Sequence, residues 1–164
     1  MDYKLFFDNA LGIWQTLDSS ITTLTYTAIN LTPGLRYKFK IQSRNAFGYS
    51  VDSLVTEILA AQEPAQPLAP ITTFQRETVL IEWVAPNDLG SPITAYNIYI
   101  KKSDGTFSLE LNDCDGTDTT IISDTACTVL VSTLINTPFS LAWGSDIYAE
   151  VVAINDYGRS LTSE

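Results

Sequence analysis

Histidine does not occur in these 164 residues. The side chain that most often acts as a general base near neutral pH, and most often ligates transition metals, is therefore missing. Cysteine occurs twice, too few for the usual structural zinc sets. Basic residues are scarce, nine Lys and Arg against nineteen Asp and Glu, for a net charge of −10 and a pI near 4.2. Such a surface repels phosphate backbones and anionic lipid, so neither nucleic acid nor a membrane surface is an expected partner. Solubility is the simplest consequence of the charge. No apolar run approaches the ~20 residues that span a bilayer. The opening "MDYKLFFDNALG" has no charged n-region or sustained apolar core, so it does not read as a signal peptide. A phosphate-cradling glycine loop and a G-x-S-x-G elbow are both absent. No nucleophile–base pair or carboxylate couple stands out, so catalysis by this segment is not expected and no cofactor is implied.

What is present suits a packed β protein: 45% hydrophobic and 11% aromatic residues. The stretches "RNAFGYSVDS" (44–53) and "INDYGRSLTS" (154–163) share one punctuation, Asn-x-x-Gly-x-Ser-x-x-Ser, 110 residues apart. Each follows an alternating run. In "YKFKIQSR" (37–44), Tyr37, Phe39, Ile41 and Ser43 alternate with Lys38, Lys40, Gln42 and Arg44, the period of a half-buried strand. In "IYAEVVAI" (147–154), Ile147, Ala149, Val151 and Ala153 share a face, and the opposite face is apolar enough to be covered as well. Asn and Gly tolerate positive φ and turn the chain between strands. "TVLIEW" (78–83), "YNIYIKK" (96–102) and "YKLFFD" (3–8) alternate in the same way, and no stretch combines helical period with caps. Short strands separated by Gly/Pro turns predict antiparallel sandwiches. The proline-rich "AAQEPAQPLAP" (60–70), with Pro64, Pro67 and Pro70, reads as a linker between two modules, 1–61 and 62–164.

These residues resemble the fibronectin type III family. "VLIEWVAPNDLGSPITAYNIYI" is similar to the family's B strand with core Trp83, its Pro-rich B–C turn (Pro86, Gly90, Pro92) and its C strand with Tyr96. "INLTPGLRYKFKIQSRNAFGYS" resembles the L-x-P-G-x-x-Y-x-F-x-V stretch through Leu31, Pro33, Gly34, Tyr37, Phe39 and Ile41. The resemblance makes Tyr37 the corner tyrosine, hydrogen-bonded back to the preceding connection. It implies an all-β fold of tandem immunoglobulin-like, fibronectin type III sandwiches.

The first module departs from the pattern by running only from strand C to strand G, without A and B strands. The second stops near the start of its G strand. The segment thus reads as cut from a longer multi-module array; alternatively Met1 is a true start and a neighbouring molecule supplies the missing strands. Tyr3 aligns with Tyr96, while Tyr26, Ala28 and Leu31, the expected strand E of module one, align with Val129, Val131 and Leu134, and Gly34 aligns with Gly144. The second module therefore gains ten residues between strands C and E and seven more between E and F. Ile147 stands where the corner tyrosine belongs, so apolar packing of Phe139, Leu141 or Trp143 is expected to brace that corner.

Several residues are candidates for a role. Cys114 and Cys127 are a disulfide candidate that would pin the insertion and place the chain in an oxidising compartment; the alternative is that Cys127 is a buried free thiol. Asp113, Asp115 and Asp118 around Gly116 are a calcium candidate, against the plainer reading of a solvated Asx-rich turn. Asn30 in "NLT" is a glycosylation sequon, usable only if the protein is secreted. Trp143 and Tyr49 are candidate contact aromatics. The implied class is a non-catalytic spacer or adhesion module pair of a larger surface or secreted protein, with protein partners and neighbouring modules of the same chain. The alternatives are an intracellular cytoskeletal scaffold array, hence a cytoplasmic location, or an accessory module of a larger enzyme. Without its B-strand neighbour, strand E leaves an open sheet, and self-association through it is expected.

Overall fold

The computed structural model describes all 164 residues. They fall into two compact units, Met1–Ala61 and Gln62–Glu164.

The first unit is one antiparallel sheet. β1 (Asp2–Phe7), β2 (Gln15–Ile21), β3 (Arg36–Asn45) and β4 (Gly48–Tyr49) lie in the order β2-β1-β3-β4, and β5 (Thr56–Leu59) also pairs with β3. Leu5 sits opposite Ile41 and Phe7 opposite Phe39, so the alternating apolar residues share one face. Phe7 stacks on both Tyr37 and Phe39 with ring centroids 6.4 Å apart. Tyr37 is buried, and its hydroxyl accepts the Thr32 N–H at 2.8 Å. This ties the connection before β3 to the strand.

The expected strand E does not form. Residues 22–35 contain no strand, and Leu24, Tyr26 and Ile29 are exposed. The physical reason is the missing partner: without a B strand beside it, the segment has no backbone ladder to join. The sheet face beneath it is accordingly only partly covered.

The second unit is a two-sheet sandwich. β6 (Ile71–Gln75), β7 (Thr78–Glu82) and β10 (Ala126–Leu130) form one sheet, ordered β10-β7-β6. β8 (Ala95–Lys101), β9 (Phe107–Leu109), β11 (Ala149–Asn155) and β12 (Gly158–Arg159) form the other, ordered β12-β11-β8-β9. Val79, Ile81 and Trp83 from the first sheet meet Tyr96, Ile98, Ile100, Val151 and Ala153 from the second, all buried. Trp83 meets Tyr96 edge-on with ring centroids 5.1 Å apart. Each of the Val and Ile side chains contributes on the order of 1.5–3 kcal/mol through burial. The covered face makes the contrast with the first unit quantitative: Val151 is 0% exposed, whereas Ile41, at the equivalent position of β3, is 43% exposed.

Two short helices depart from the all-strand expectation. α1 (Thr119–Asp124) is capped by Asp118, which accepts the Thr120 N–H, and it ends at Thr125 in the left-handed region. α2 (Val131–Ile135) follows β10 directly. α1 lies in the residues added before β10, whereas α2 takes the place of the second half of the expected strand E, where Val131 and Leu134 align with Ala28 and Leu31. Six or five residues are too few for an amphipathic period to show in sequence.

The proline-rich stretch is not a free linker. Pro64 and Pro67 are buried in the second unit, where the Ala65 N–H donates to the Asn87 carbonyl at 2.9 Å and the Gln66 amide donates to the Thr162 carbonyl at 2.7 Å. Proline suits this edge position because it offers no N–H that would need a ladder partner.

The shared punctuation builds the same latch in both units. The N–H groups of Ser43 and Ile41 donate to the hydroxyls of Ser50 and Ser53, and the N–H groups of those two serines donate back to the Ser43 and Ile41 carbonyls. In the second unit Ser160 and Ser163 do the same with Ala153 and Val151. Each serine hydroxyl replaces its own carbonyl as the ladder acceptor, so pairing continues past the two residues of β4 or β12. The asparagines differ instructively. Asn155 is buried, and its amide donates to the carbonyls of Gln62, Asp88 and Ser91. Asn45 is exposed and keeps only the turn bond from the Phe47 N–H.

Candidate functional site

The added residues of the second unit form a braced loop on the sandwich. Its anchor is Glu110, which follows β9 and is 1% exposed. Its carboxylate accepts the N–H groups of Asn112 at 3.0 Å, Asp113 at 2.9 Å and Cys114 at 2.7 Å. Three convergent donors are what a buried carboxylate requires. Cys114 then joins Cys127 at the start of β10 in a disulfide, with Cα atoms 5.4 Å apart. Closing a loop of that length stabilises by roughly 3 kcal/mol in chain-entropy terms. Gly116 presses its backbone onto β8, where the Tyr96 N–H donates to its carbonyl at 2.9 Å. Burial pushes the Tyr96 hydroxyl above its ordinary value.

The three aspartates do not converge. Asp113 accepts the Leu130 N–H and the Thr133 hydroxyl, tying the loop to β10 and α2. Asp115 accepts the N–H and hydroxyl of Thr117, which together hold its carboxyl below the ordinary value. Asp118 caps α1. They act as turn and cap residues, and no group of three or more His, Cys, Asp or Glu is placed to hold a metal ion. Asn30 is exposed, in the left-handed region, within the strandless 22–35 segment.

Of the residues expected to brace the E–F corner, Phe139 is fully buried and Leu141 packs on the core. Trp143 does not join them and is 77% exposed. It stands over a groove of about 380 Å³ whose walls include Phe74, Leu134, Leu141 and Asp146. Ile147, in the corner tyrosine's place, packs partly on the core, and its carbonyl accepts the Thr72 hydroxyl at 2.9 Å.

Tyr49 is half-exposed but engaged within its own unit. It belongs to a ladder in which cations and rings alternate: Lys40 lies 4.4 Å from Trp14 and 5.6 Å from Phe6, Lys4 lies 4.9 Å from Phe6 and 5.7 Å from Tyr49, and Arg44 lies 5.3 Å from Tyr49. Asp52 pairs with Lys40, and Asp2 pairs with Arg44. Lys40 and Arg44 are thus neutralised in place while Lys4 rests between two rings with no ion pair, and the ladder reads as bracing for a single sheet. Neither this ladder nor the Glu110 cradle was among the sequence candidates. Alternating Lys and Arg on β3 hinted at the ladder; the lone Glu110 gave no sequence signal for the cradle.

No family model matches the chain. Among curated proteins it is similar to human Usherin, 27% identical over 94 residues, 57% of this chain and 2% of Usherin. It is also similar to a putative insulin-like peptide receptor of Hydra vulgaris, 32% identical over 95 residues, 57% of this chain and 6% of the receptor. The chain thus spans a small fraction of the length of these relatives. Among solved structures, the chicken CNTN1 FN1–FN3 domains align with 99% of this chain and 54% of theirs, at 16% identity and a TM-score of 0.51. That likeness, together with the antiparallel sheets described above, gives the fold: all-β, immunoglobulin-like, of the fibronectin type III kind.

Proposed function

We propose that this chain is a non-catalytic spacer and adhesion element of a longer surface or secreted protein, working through protein–protein contacts. The observation that carries the reading is the Cys114–Cys127 disulfide, because such bridges persist in oxidising compartments and are rare in the cytosol. It staples an added loop onto a rigid sandwich, which favours a fixed contact surface over a moving lid. The likeness of part of the chain to a much longer protein named as a receptor supports the same reading. The incompletely covered face of the first unit adds a tendency to self-associate, since Ile41, Leu24 and Tyr26 present apolar surface.

The test is surface labelling of the source cells with an antibody to the chain. Staining of intact cells, or recovery of the protein from the medium, is expected. Staining only after permeabilisation would replace this reading with the intracellular scaffold.

A further inference from the structure

The groove at the E–F corner combines an apolar floor with an aromatic and acidic rim. Its floor is apolar, from Val79, Leu134 and Leu141, and its rim carries Phe74, Trp143 and Asp146. The aromatic rims are open: Phe74 is 64% exposed. The rim segment is held at several points. The Thr72 hydroxyl donates to the Ile147 carbonyl, the Leu141 N–H donates to the Leu134 carbonyl at 3.0 Å, and the Ser145 N–H donates to the Ala142 carbonyl at 3.1 Å.

Charge decides what fits. Asp146 is the one ionised side chain lining the groove, and no ion pair engages it. Residues 1–61 carry equal numbers of basic and acidic side chains, so the whole net charge of −10 falls on Gln62–Glu164. A field of that sign draws in basic partners and repels acidic ones. An aliphatic stem needs an apolar floor, and a guanidinium favours an indole face with a carboxylate beside it.

We propose that this groove receives an arginine from a basic segment of a partner protein. The stem lies on Leu134 and Leu141, and the guanidinium stacks on Trp143 with Asp146 as its counter-ion. The inference rests on the contact-module reading and names the partner's chemistry.

The test uses the whole 164-residue chain and two capped peptides, acetyl-Ala-Leu-Arg-Leu-Ala-amide and its citrulline counterpart, which keeps the shape and loses the charge. The indole N–H signals of Trp14, Trp83 and Trp143 are followed by NMR, with assignments from single substitutions. The arginine peptide is expected to shift the Trp143 signal and leave Trp14 and Trp83 in place. Asp146→Asn is expected to weaken binding about fivefold, as loss of a partly exposed ion pair does. Trp143→Ala removes the response at the Ile147 and Thr72 amides while the remaining spectrum stays folded. No Trp143 shift at about 5 mM peptide, the weak end of specific recognition, would overturn the proposal. So would equal binding of the citrulline peptide, which would make the groove merely apolar, or a response confined to Trp14. Any of these would remove the arginine site and leave the location of the protein, read separately by surface labelling, unaffected.

Discussion

Gly116 lies against the Tyr96 carbonyl so closely that a Cβ on the glycine would stand 1.9 Å from that oxygen and 2.6 Å from its carbon. The obstacle is paired backbone near the start of β8, which cannot yield as a side-chain tip can. Gly116→Ala therefore forces the added loop off the sheet and breaks the bond from the Tyr96 N–H. We expect a loss of about 3 kcal/mol, the upper range of overpacking costs, in urea denaturation of the second unit. Unchanged stability would mean that the loop does not dock as described.

Glu110 sets the loop's base. Glu110→Ala leaves the N–H groups of Asn112, Asp113 and Cys114 without their acceptor. We expect a loss of about 2–3 kcal/mol, the cost of stranding buried donors. Glu110→Gln keeps one acceptor oxygen and should cost less. Equal stabilities for all three proteins would contradict the cradle.

Asp104 provides a pH test. Its carboxylate accepts the Thr106 N–H at 2.9 Å and hydroxyl at 2.7 Å and pairs with Lys102 at 3.0 Å, which together hold its pKa at about 2. The folded value lies below the ordinary 3.8, so the stabilisation is fully present above 3.8 and is lost as pH falls through about 2. A carboxyl 13C titration should show the low midpoint, and Thr106→Ala should move it upward. A midpoint near 3.8 in the parent protein would contradict these contacts.

The first unit should exchange amides unevenly. β3, paired on both sides by β1 and by β4 and β5, should be well protected, while the N–H groups of 22–31 should exchange rapidly because they lack a ladder. The open face should also make sedimentation concentration-dependent, and Ile41→Lys should reduce that dependence. Protection of 24–31 in a monomer would show that a strand forms there after all.

The strands were legible where a period-two run had a ladder neighbour encoded in the same chain, as β1 and β3 do despite their partly open face. Val79, Ile81 and Trp83 and Tyr96, Ile98 and Ile100 face the core as their alternation predicts. Alignment with Val129, Val131 and Leu134 marked Tyr26, Ala28 and Leu31 as a strand, but a strand needs a neighbour, and none stands beside them. The repeated serines were visible as spacing; their use as side-chain acceptors in the ladder was not, because serine reads as a turn residue as readily. At the site, the pairing of Cys114 with Cys127 could be framed as one of two alternatives. The Glu110 cradle could not, since one glutamate carries no periodic signal. Trp143 illustrates the same limit: sequence placed it at the corner, but whether it turned inward depended on Phe139 already filling the core.

The bridge between Cys114 and Cys127 carries the surface or secreted reading, and intact mass of the protein from its native source measures it. Alkylation in denaturant should add nothing without reduction and two groups after it, with any glycan on Asn30 appearing as added mass. Two alkyl groups taken up without reduction would mean free thiols, and the surface or secreted reading would fall with the bridge.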